Sequence, residues 1–370
     1  MTAARRWTLV VLGTVLLVLA PVVVAALPAR DATVSAVDLL ARVRASRSVA
    51  FSGYARTRGS VALPSNDVLS GLSSLLGGTS TVRVWWRDPS TWRTSVVRTT
   101  GETDVIHHGD GATRWVYESK NVTSVPDVAV RLPTTVDLLP HELARRLLDG
   151  SRAGELSRLP ATRVAGRDAL GLRLVPADRQ SSMRRVDVRA DRATGLPLRV
   201  TVWAKGLPQP VLDSGFVDVH LGAPDPAALR FHPPADGHLR SEVVVDLADA
   251  VNRYAARVPP RTLAGLGPRR RAPGLGATGA VGTYGRGPTL LLALPLWSRS
   301  AGRVHDDLLR APGARETKAG VLVGALPLRL LLTEPEPNGT QWLLAGTVTR
   351  SALATAATDL AATRPGLRVP

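Results

Sequence analysis

Apolar and polar residues first alternate at helical spacing and then at strand spacing. Ser35 is a good N-cap residue, and Val37, Leu40, Val43 and Arg44 follow it at helical spacing, with Ala36 and Leu39 widening the apolar stripe. From residue 48 onward the period changes to two, which predicts a series of strands. The clearest of these read TVRVWWRD, STWRTSVVR, TDVIHHGDGATRWVYES, RDALGLRLVP, MRRVDVRAD and LPLRVTVWAK.

Two stretches of turn residues join neighbouring strands and predict hairpins. Gly109-Asp110-Gly111 separates two apolar strand segments, and RATG at 192–195 separates two more. The segment 135–150, TVDLLPHELARRLLDG, interrupts the strands as a predicted helical insertion that ends at Gly150. One helix, several antiparallel strands and a helical interruption predict an α+β fold in which a curved sheet is closed over by helices.

Composition divides the chain after residue 30 into two units. Residues 259–288 are rich in Pro, Gly and Arg, so we interpret them as a linker. They separate a large domain, residues 31–258, from residues 289–370. The latter alternate strand and helix patterns and are expected to form a smaller C-terminal α+β domain.

The N-terminal segment, residues 1–30, indicates export. Arg5 and Arg6 precede an uncharged run from Trp7 to Ala29, which as a helix would reach about 35 Å. This length suits an uncleaved signal anchor, although Val24-Ala25-Ala26 also allows cleavage of a signal peptide. Both readings place the rest outside the cytoplasm, either anchored to the cytoplasmic membrane or secreted. Nucleic acid is therefore not an expected partner.

Charge and motifs disfavour an enzyme. The formal net charge is +17 and almost every basic residue is Arg, which reflects either codon usage or attraction to an anionic surface. No Gly-x-Ser-x-Gly, P-loop or His-Glu-x-x-His motif occurs, and the chain has no Cys. His107 and His108 are expected on opposite faces of a strand, where they cannot share a metal. We therefore predict no catalytic residue, metal or cofactor, and hold an exported hydrolase as a remote alternative.

Aromatic and aliphatic strand residues are the candidate ligand-binding positions. They fill a core or line an apolar cavity under the sheet, and the sequence leaves both readings open. The cavity candidates are Val84, Trp86, Trp92, Trp115, Tyr117, Leu172, Leu174, Leu198, Val200 and Val202. Apolar residues between Pro64 and Gly77 form either a core-covering helix or a mobile flap. The flap candidates are Leu69, Leu72, Leu75 and Leu76.

The order of these elements resembles a known family. DLLARVRASRSVAFSGYART, VRVWWRDPSTWRTSVV, GETDVIHHGDGATRWVYES and GRDALGLRLVP, followed by VDVRADRATGLPLRVTVW, resemble the LolA-like lipoprotein-carrier fold. They resemble more closely the sigma-E regulatory proteins of the RseB/MucB type found in actinobacteria. The likeness spans about residues 35–235, and residues 245–360 resemble the C-terminal part of the actinobacterial members. It implies a non-enzymatic, antiparallel half-barrel capped by helices, with an apolar concavity.

Members of this family carry lipid-modified cargo, or sense it and restrain an anti-sigma factor. The resemblance therefore implies a sensor or regulator in a sigma-factor pathway of envelope stress. Its expected partners are a lipid or lipid-modified peptide, an anti-sigma-factor extracytoplasmic domain and, through the N-terminal segment, the membrane. The alternative is a membrane-tethered lipid or lipoprotein carrier, which needs the cavity but no protein partner.

Overall fold

The computed structural model describes residues 7, 29–61, 70–98, 101–109, 111–126, 133–234, 236–241, 257–269 and 279–363. Most of the predicted membrane segment and Leu69 lie outside these residues. Within the described ranges, no helix is both long and apolar enough to cross a membrane.

A twelve-stranded mixed sheet forms the larger unit. Its spatial order is β12-β6-β5-β4-β3-β2-β1-β11-β10-β9-β8-β7. The pair β12–β6 is parallel and the other neighbouring pairs are antiparallel. The strands are β1 Phe51–Gly59, β2 Thr79–Asp88, β3 Thr91–Arg98, β4 Gly101–His108, β5 Gly111–Val116, β6 Asn121–Pro126, β7 Leu156–Val164, β8 Arg167–Leu174, β9 Met183–Asp191, β10 Pro197–Ala204, β11 Leu212–Leu221 and β12 His238–Ser241.

The predicted alternation is confirmed along these strands. In β2, Val82, Val84 and Trp86 are buried, whereas Arg83 and Arg87 are exposed. Both predicted hairpins form: β4 pairs with β5 through Gly109 at φ +65°, and β9 pairs with β10 across the RATG turn. The period of two thus correctly indicated which face of each strand meets the core.

Helices cover the inner face of the sheet. They are α1 Ala36–Ala45, α2 Ser70–Gly77 and α3 Pro140–Leu147. The single turn α4 Pro226–Leu229 lies on the other face, where the Ala228 carbonyl accepts a hydrogen bond from Arg93 of β3. The predicted N-cap is confirmed, because the Ser35 hydroxyl accepts a hydrogen bond from the Asp38 backbone N–H at 3.0 Å. Helix α1 lies against β7 and β8, and its Leu39, Leu40 and Val43 join the core cluster formed by inward residues of the strands.

The predicted insertion helix is divided at Pro140. A 3₁₀ turn covers Thr135–Leu138, and Leu139 then adopts an extended conformation with ψ 141°. The ring of a proline disfavours helical geometry in the preceding residue, so α3 begins at Pro140 rather than continuing the turn. Helix α3 ends at Leu147, and Gly150 follows with φ +66°, a conformation that glycine adopts readily.

A six-stranded antiparallel sheet forms the C-terminal unit. Its order is β13-β14-β18-β17-β16-β15, with α5 Ser298–Leu309 and α6 Arg350–Ala362 packed against it. The strands are β13 Gly282–Arg286, β14 Thr289–Leu296, β15 Arg315–Thr317, β16 Gly320–Ala325, β17 Leu328–Thr333 and β18 Gln341–Gly346.

Part of the predicted linker belongs to this second unit. Strand β13 lies inside the range 259–288, and Leu263 and Leu266 are buried in the same core as Tyr284. These stretches are therefore not the loose loop that we expected from composition. A few apolar side chains reach the core from a Gly- and Arg-rich sequence, and their burial is enough to order the backbone.

The two units make direct polar contacts. Thr349 donates its backbone N–H to the Gln180 carbonyl at 2.7 Å, and Ser182 donates to the Thr347 carbonyl at 3.0 Å. Arg286, at the end of β13, forms two hydrogen bonds to the Glu155 carboxylate, at 2.5 and 2.8 Å. Backbone pairing and a bidentate ion pair thus join the sheets.

Candidate ligand-binding site

Four aromatic rings form a row across the inner face of the large sheet. Phe51, Trp86, Trp92 and His107 occupy directly opposite positions on β1, β2, β3 and β4. Successive ring centroids lie 6.2, 6.0 and 5.1 Å apart, with interplanar angles of 10° or less. Directly opposite strand positions bring side chains close enough to interact, so strand register alone stacks the rings.

Helix α3 closes this row from above with His141. The imidazole meets Phe51 edge-on at 5.0 Å and Trp86 edge-on at 4.2 Å between centroids. His141, Arg145 and Leu148 are spaced by four and three residues, so they share one face of the helix and its C-terminal end. That face, helix α1 and the aromatic row enclose a cavity of about 300 Å³.

Two residues that line the cavity have buried ring nitrogens that lack partners. Both ring nitrogens of His141 and Nε1 of Trp86 are shielded from solvent, and none has a hydrogen-bond partner among the described residues. A buried N–H without an acceptor is costly, and native proteins leave few such groups. Trp86 offers a donor, and neutral imidazole offers one donor and one acceptor. A ligand that carries a polar group would satisfy them.

Burial keeps His141 neutral. Loss of solvation lowers the pKa of His141 to about 4, although the charge of Glu142 acts in the opposite direction. Burial would raise the pKa of Glu142, but the hydrogen bond from Arg145 and the neighbouring positive charges outweigh it and lower that pKa. At neutral pH His141 is therefore uncharged, whereas Glu142 and Arg145 on the same helix are ionised.

The mouth of the cavity is predominantly basic. Arg44 and Arg47 reach it from helix α1 and its end, and Arg145 reaches it from α3, opposed by Glu142 and Asp149. Arg145 pairs with Glu142 at 2.6 Å, and Arg44 approaches the Leu148 carbonyl at 3.4 Å. An apolar, aromatic interior with a basic rim suits a ligand that has a hydrophobic body and an anionic end.

The residues predicted to line a cavity have different environments. Trp86 alone among them lines the cavity described above. Trp92 belongs to the aromatic row, and Val84 and Leu198 are buried in the same core cluster. Leu172, Leu174, Val200 and Val202 are buried under helices α1 and α3. Because helices cover these strand residues, the hollow that the sequence suggested is largely occupied by the chain's own side chains, and the open volume lies at one end of it.

Trp115 and Tyr117 lie on the opposite face of the sheet. Strand β5 places Ala112 opposite His107, and Trp115 is three residues further along, so its side chain points away from the aromatic row. Trp115 packs against Phe231 at 5.9 Å, whereas Tyr117 is 65 % exposed. Trp115 and Tyr117, which we expected to line the cavity, therefore point away from the aromatic row. His107, to which we assigned no binding role, belongs to that row.

The predicted flap is described only in part. Leu75 and Leu76 of helix α2 are partly buried against the core that contains α1. Leu69 and the side chain of Leu72 lie outside the described residues. Sequence reasoning missed His141, which was not among the candidate residues. Its position after Pro140, on one helical face with Arg145 and Leu148, was the signal that could have identified it.

Comparison with known proteins finds similarity among solved structures only. No family model matches the chain, and no curated protein matches it. Over about half its length the chain is similar to a LolA superfamily protein from Nitrosomonas europaea, with 11% identity, 54% of this chain and 99% of that chain covered, and a TM-score of 0.25.

Over most of its length the chain is similar to MucB. In the complex of MucA and MucB from Pseudomonas aeruginosa, identity is 20%, coverage is 89% of this chain and 98% of that chain, and the TM-score is 0.49. For a structure of MucB without a named partner, identity is 18%, coverage is 87% and 96%, and the TM-score is 0.43. At these TM-scores the function must be argued from the residues of the chain itself.

Proposed function

We propose that the chain is a non-enzymatic, extracytoplasmic sensor or regulator of a sigma-factor pathway. In this proposal the large sheet is the half-barrel of the LolA-like family. Its cavity binds a lipid or lipid-modified peptide, and the protein also binds the extracytoplasmic domain of an anti-sigma factor. The N-terminal segment tethers it to the cytoplasmic membrane.

The observation that carries the proposal is the unsatisfied polar lining of the aromatic cavity. Trp86 and His141 line the cavity and hold buried ring nitrogens without described partners, and Arg44, Arg47 and Arg145 are among the other lining residues. A ligand with an apolar chain, a carbonyl or hydroxyl group and an anionic end complements all three features. Each buried methylene would contribute about 0.8 kcal/mol, so strong binding requires no catalytic group.

Helix α3 favours a regulator over a simple carrier. Its inner face lines the cavity through His141 and Arg145, while its C-terminal end contacts the second unit. Arg269 approaches the Arg146 carbonyl at 3.4 Å, and Arg286 donates to the Gly150 carbonyl at 3.2 Å. A ligand that shifts this helix therefore acts on the contact between the units, which is a physical route from occupancy to partner affinity.

The sequence pieces quoted above support the choice of pathway. They resemble the RseB/MucB type in the order of the first helix, the hairpins and the last strands of the large sheet. Two of the similar solved structures contain MucB bound to MucA, one of them with the periplasmic part of MucA. We infer an equivalent partner class for this chain, namely the ectodomain of a membrane-anchored anti-sigma factor.

The alternative function is a tethered carrier of lipid or lipoprotein. It would use the same cavity and would not require the contact between the units to respond to the ligand. The two functions are distinguished by their partners: a regulator binds an anti-sigma ectodomain with an affinity that depends on cavity occupancy, and a carrier does not.

The test uses the full chain purified in a neutral detergent. Native mass spectrometry measures co-purified lipid, and a pulldown measures binding of an anti-sigma ectodomain with and without that lipid. In the variant Trp86→Phe/His141→Leu we expect at least a tenfold loss of lipid affinity, because two hydrogen bonds are removed while the apolar bulk stays. Trp115→Phe is the matched control on the opposite face of the sheet.

Three results bear on the proposal. Equal lipid binding by wild type and the double variant would overturn the cavity as the binding site. Lipid binding without any interaction with the ectodomain would favour the carrier. A lipid-dependent interaction that is lost in the double variant and kept in the Trp115→Phe control supports the regulator.

A further inference from the structure

A second basic groove lies on the outer face of the large sheet, away from the aromatic row. It runs between the turn that follows β7 and the exposed sides of β1, β10 and β11, and has a volume of about 250 Å³. Arg56, Arg58, Arg163 and Arg199 line it, together with the single carboxylate of Asp213. The four guanidinium groups and one carboxylate give the groove a formal charge of +3.

Strand register explains how the arginines come together. Arg56 on β1 and Arg199 on β10 both pair with Gly215 on the strand between them. Two strand spacings separate these arginines by about 10 Å at the backbone. A Cβ on Gly215 would meet Cγ of Arg199 at 3.1 Å, so the glycine leaves the floor of the groove open.

Two of the four arginines have no anionic partner in the described part of the chain. Arg199 makes two hydrogen bonds to Asp213, at 2.8 and 2.6 Å, and Arg163 pairs with Asp168 at 3.3 Å. Arg56 and Arg58 are exposed, lie on the same side of β1, and form no ion pair with a described residue. Like charges placed together in this way favour occupation by an external anion.

The surface beside the groove is of the kind that contacts membrane interfaces. Tyr54, two residues before Arg56 on the same face of β1, is 43 % exposed. The Arg83 guanidinium lies 5.6 Å from the Tyr54 ring centroid and 4.4 Å from that of Trp85. Trp and Tyr are enriched at bilayer interfaces, and arginine binds phosphate through two parallel hydrogen bonds.

The chain enters the fold on β7, and the far end of this strand borders the groove. Asp31, two residues after the end of the uncharged segment at Ala29, is held on β7 by Arg158 at 2.6 Å. Arg163 lies on the same strand, about 17 Å further along it. If the N-terminal segment is a membrane anchor, as the proposed function requires, this strand is held near the bilayer surface.

We infer that the groove binds the phosphate group of an anionic phospholipid headgroup, with Arg56, Arg58 and Arg199 as its ligands. This contact would orient the large sheet against the membrane to which the chain is tethered. The inference rests on the proposed membrane attachment, and it concerns a surface separate from the ligand cavity.

The experiment titrates the full chain, in neutral detergent, with a short-chain phosphatidylglycerol. Parallel titrations use phosphatidylcholine of the same chain length, inorganic phosphate and an oligoglutamate peptide. We expect phosphatidylglycerol to bind best, and Arg56→Gln/Arg58→Gln to weaken it at least tenfold through loss of charge-assisted hydrogen bonds. Arg56→Lys/Arg58→Lys should lose affinity to a smaller extent, because the charge stays and the forked geometry is lost.

The matched control is Arg303→Gln/Arg315→Gln, which removes the same charge from exposed positions of the C-terminal unit. Equal weakening in both double variants would overturn a specific site. Arg56- and Arg58-dependent binding of oligoglutamate or inorganic phosphate without phosphatidylglycerol binding would overturn the lipid headgroup as the ligand.

The cavity and the groove are tested separately. Arg56→Gln/Arg58→Gln should keep the lipid that co-purifies in the cavity, and Trp86→Phe/His141→Leu should keep the Arg56- and Arg58-dependent affinity for phosphatidylglycerol. If wild type carries no co-purified lipid but still binds phosphatidylglycerol through Arg56 and Arg58, the result contradicts the proposed function. If wild type carries the cavity lipid but shows no affinity for phosphatidylglycerol that depends on Arg56 and Arg58, the result contradicts this inference.

Discussion

Each of the two sheets buries a tryptophan, but the two rings have different surroundings. Trp342 on β18 is 2 % exposed and packs with Tyr284 and Leu344 in the C-terminal core. Its Nε1 donates to the Glu336 carboxylate at 3.0 Å. Trp86 on β2 is 3 % exposed, yet its Nε1 has no partner among the described residues.

Burial alone therefore does not separate a core residue from a residue of a binding site. The two kinds of residue differ in whether their polar atoms have hydrogen-bond partners, because a buried N–H without an acceptor costs free energy that a ligand can recover. The C-terminal unit satisfies its tryptophan internally, whereas the large sheet leaves its hydrogen-bonding capacity open. The following predictions test this difference, from the largest expected effect to the smallest.

Trp342→Ala should destabilise the C-terminal unit by about 3–5 kcal/mol, as expected for removing a large buried ring. Trp86→Ala should cost less, because Trp342 also loses a hydrogen bond to Glu336, whereas Nε1 of Trp86 has none to lose among the described residues. Urea unfolding of the full chain, followed by hydrogen exchange on β2 and β18, measures both losses. Equal losses would contradict the difference between the two sites.

Glu155→Gln should weaken the contact between the units by about 2 kcal/mol at pH 7, since a buried carboxylate loses its charge and Arg286 keeps only Asp178. Burial alone would raise the pKa of Glu155, but the hydrogen bonds from Arg286, Ala177 and Arg152 lower it to about 2 from its usual 4.5.

Because the folded pKa lies below the unfolded one, this stabilisation is complete above about pH 5 and is lost as pH falls toward 2. Hydrogen exchange at β13 between pH 7 and pH 3 measures it. Glu155→Gln should remove the part of the pH dependence that comes from this pair. If Glu155→Gln kept the wild-type pH profile, Glu155 would be excluded as the source of the pH dependence.

His141→Leu should flatten the dependence of stability on mildly acidic pH. The pKa of His141 is about 4 when folded and 6.5 when exposed, so the unfolded chain binds more protons between these values. Wild type should therefore lose roughly 2–3 kcal/mol as pH falls from 6.5 to 4. Unfolding midpoints at pH 7, 5.5 and 4.5 provide the measurement.

His220→Leu is the control for this effect, because that side chain is 75 % exposed. It should leave the pH slope unchanged. A slope that persists in His141→Leu would show that the cavity histidine is not buried in solution.

Ser35→Ala and Thr349→Ala should each cost about 1 kcal/mol, because each removes the side-chain cap of a helix, α1 or α6. Helix α1 lines the cavity and α6 does not, so only Ser35→Ala should also weaken lipid retention. Native mass spectrometry of both variants compares them directly. Equal lipid retention in the two variants would show that the cap of α1 does not affect ligand binding in the cavity.

Strand positions were predictable because the pattern of buried and exposed residues has a period that each strand must obey. Val82, Val84 and Trp86 were assigned correctly to one buried face for this reason. Trp115 was assigned to the wrong face of the sheet. The Gly-Asp-Gly sequence indicated a hairpin without fixing its register, and pairing of His108 with Gly111 leaves only two residues in the loop. A change of one residue in a loop reverses every side chain that follows.

The amino-acid sequence by itself determined the α+β class, the strand alternation, the capped first helix and most elements of the C-terminal unit. These features follow from local periodicity and from residues that begin or end elements. Only the tertiary structure decided that Trp86 meets His141, and that Arg56 and Arg199 flank Gly215. Such contacts join residues far apart in the chain, and they depend on strand register and on where a helix comes to rest, which local patterns do not fix.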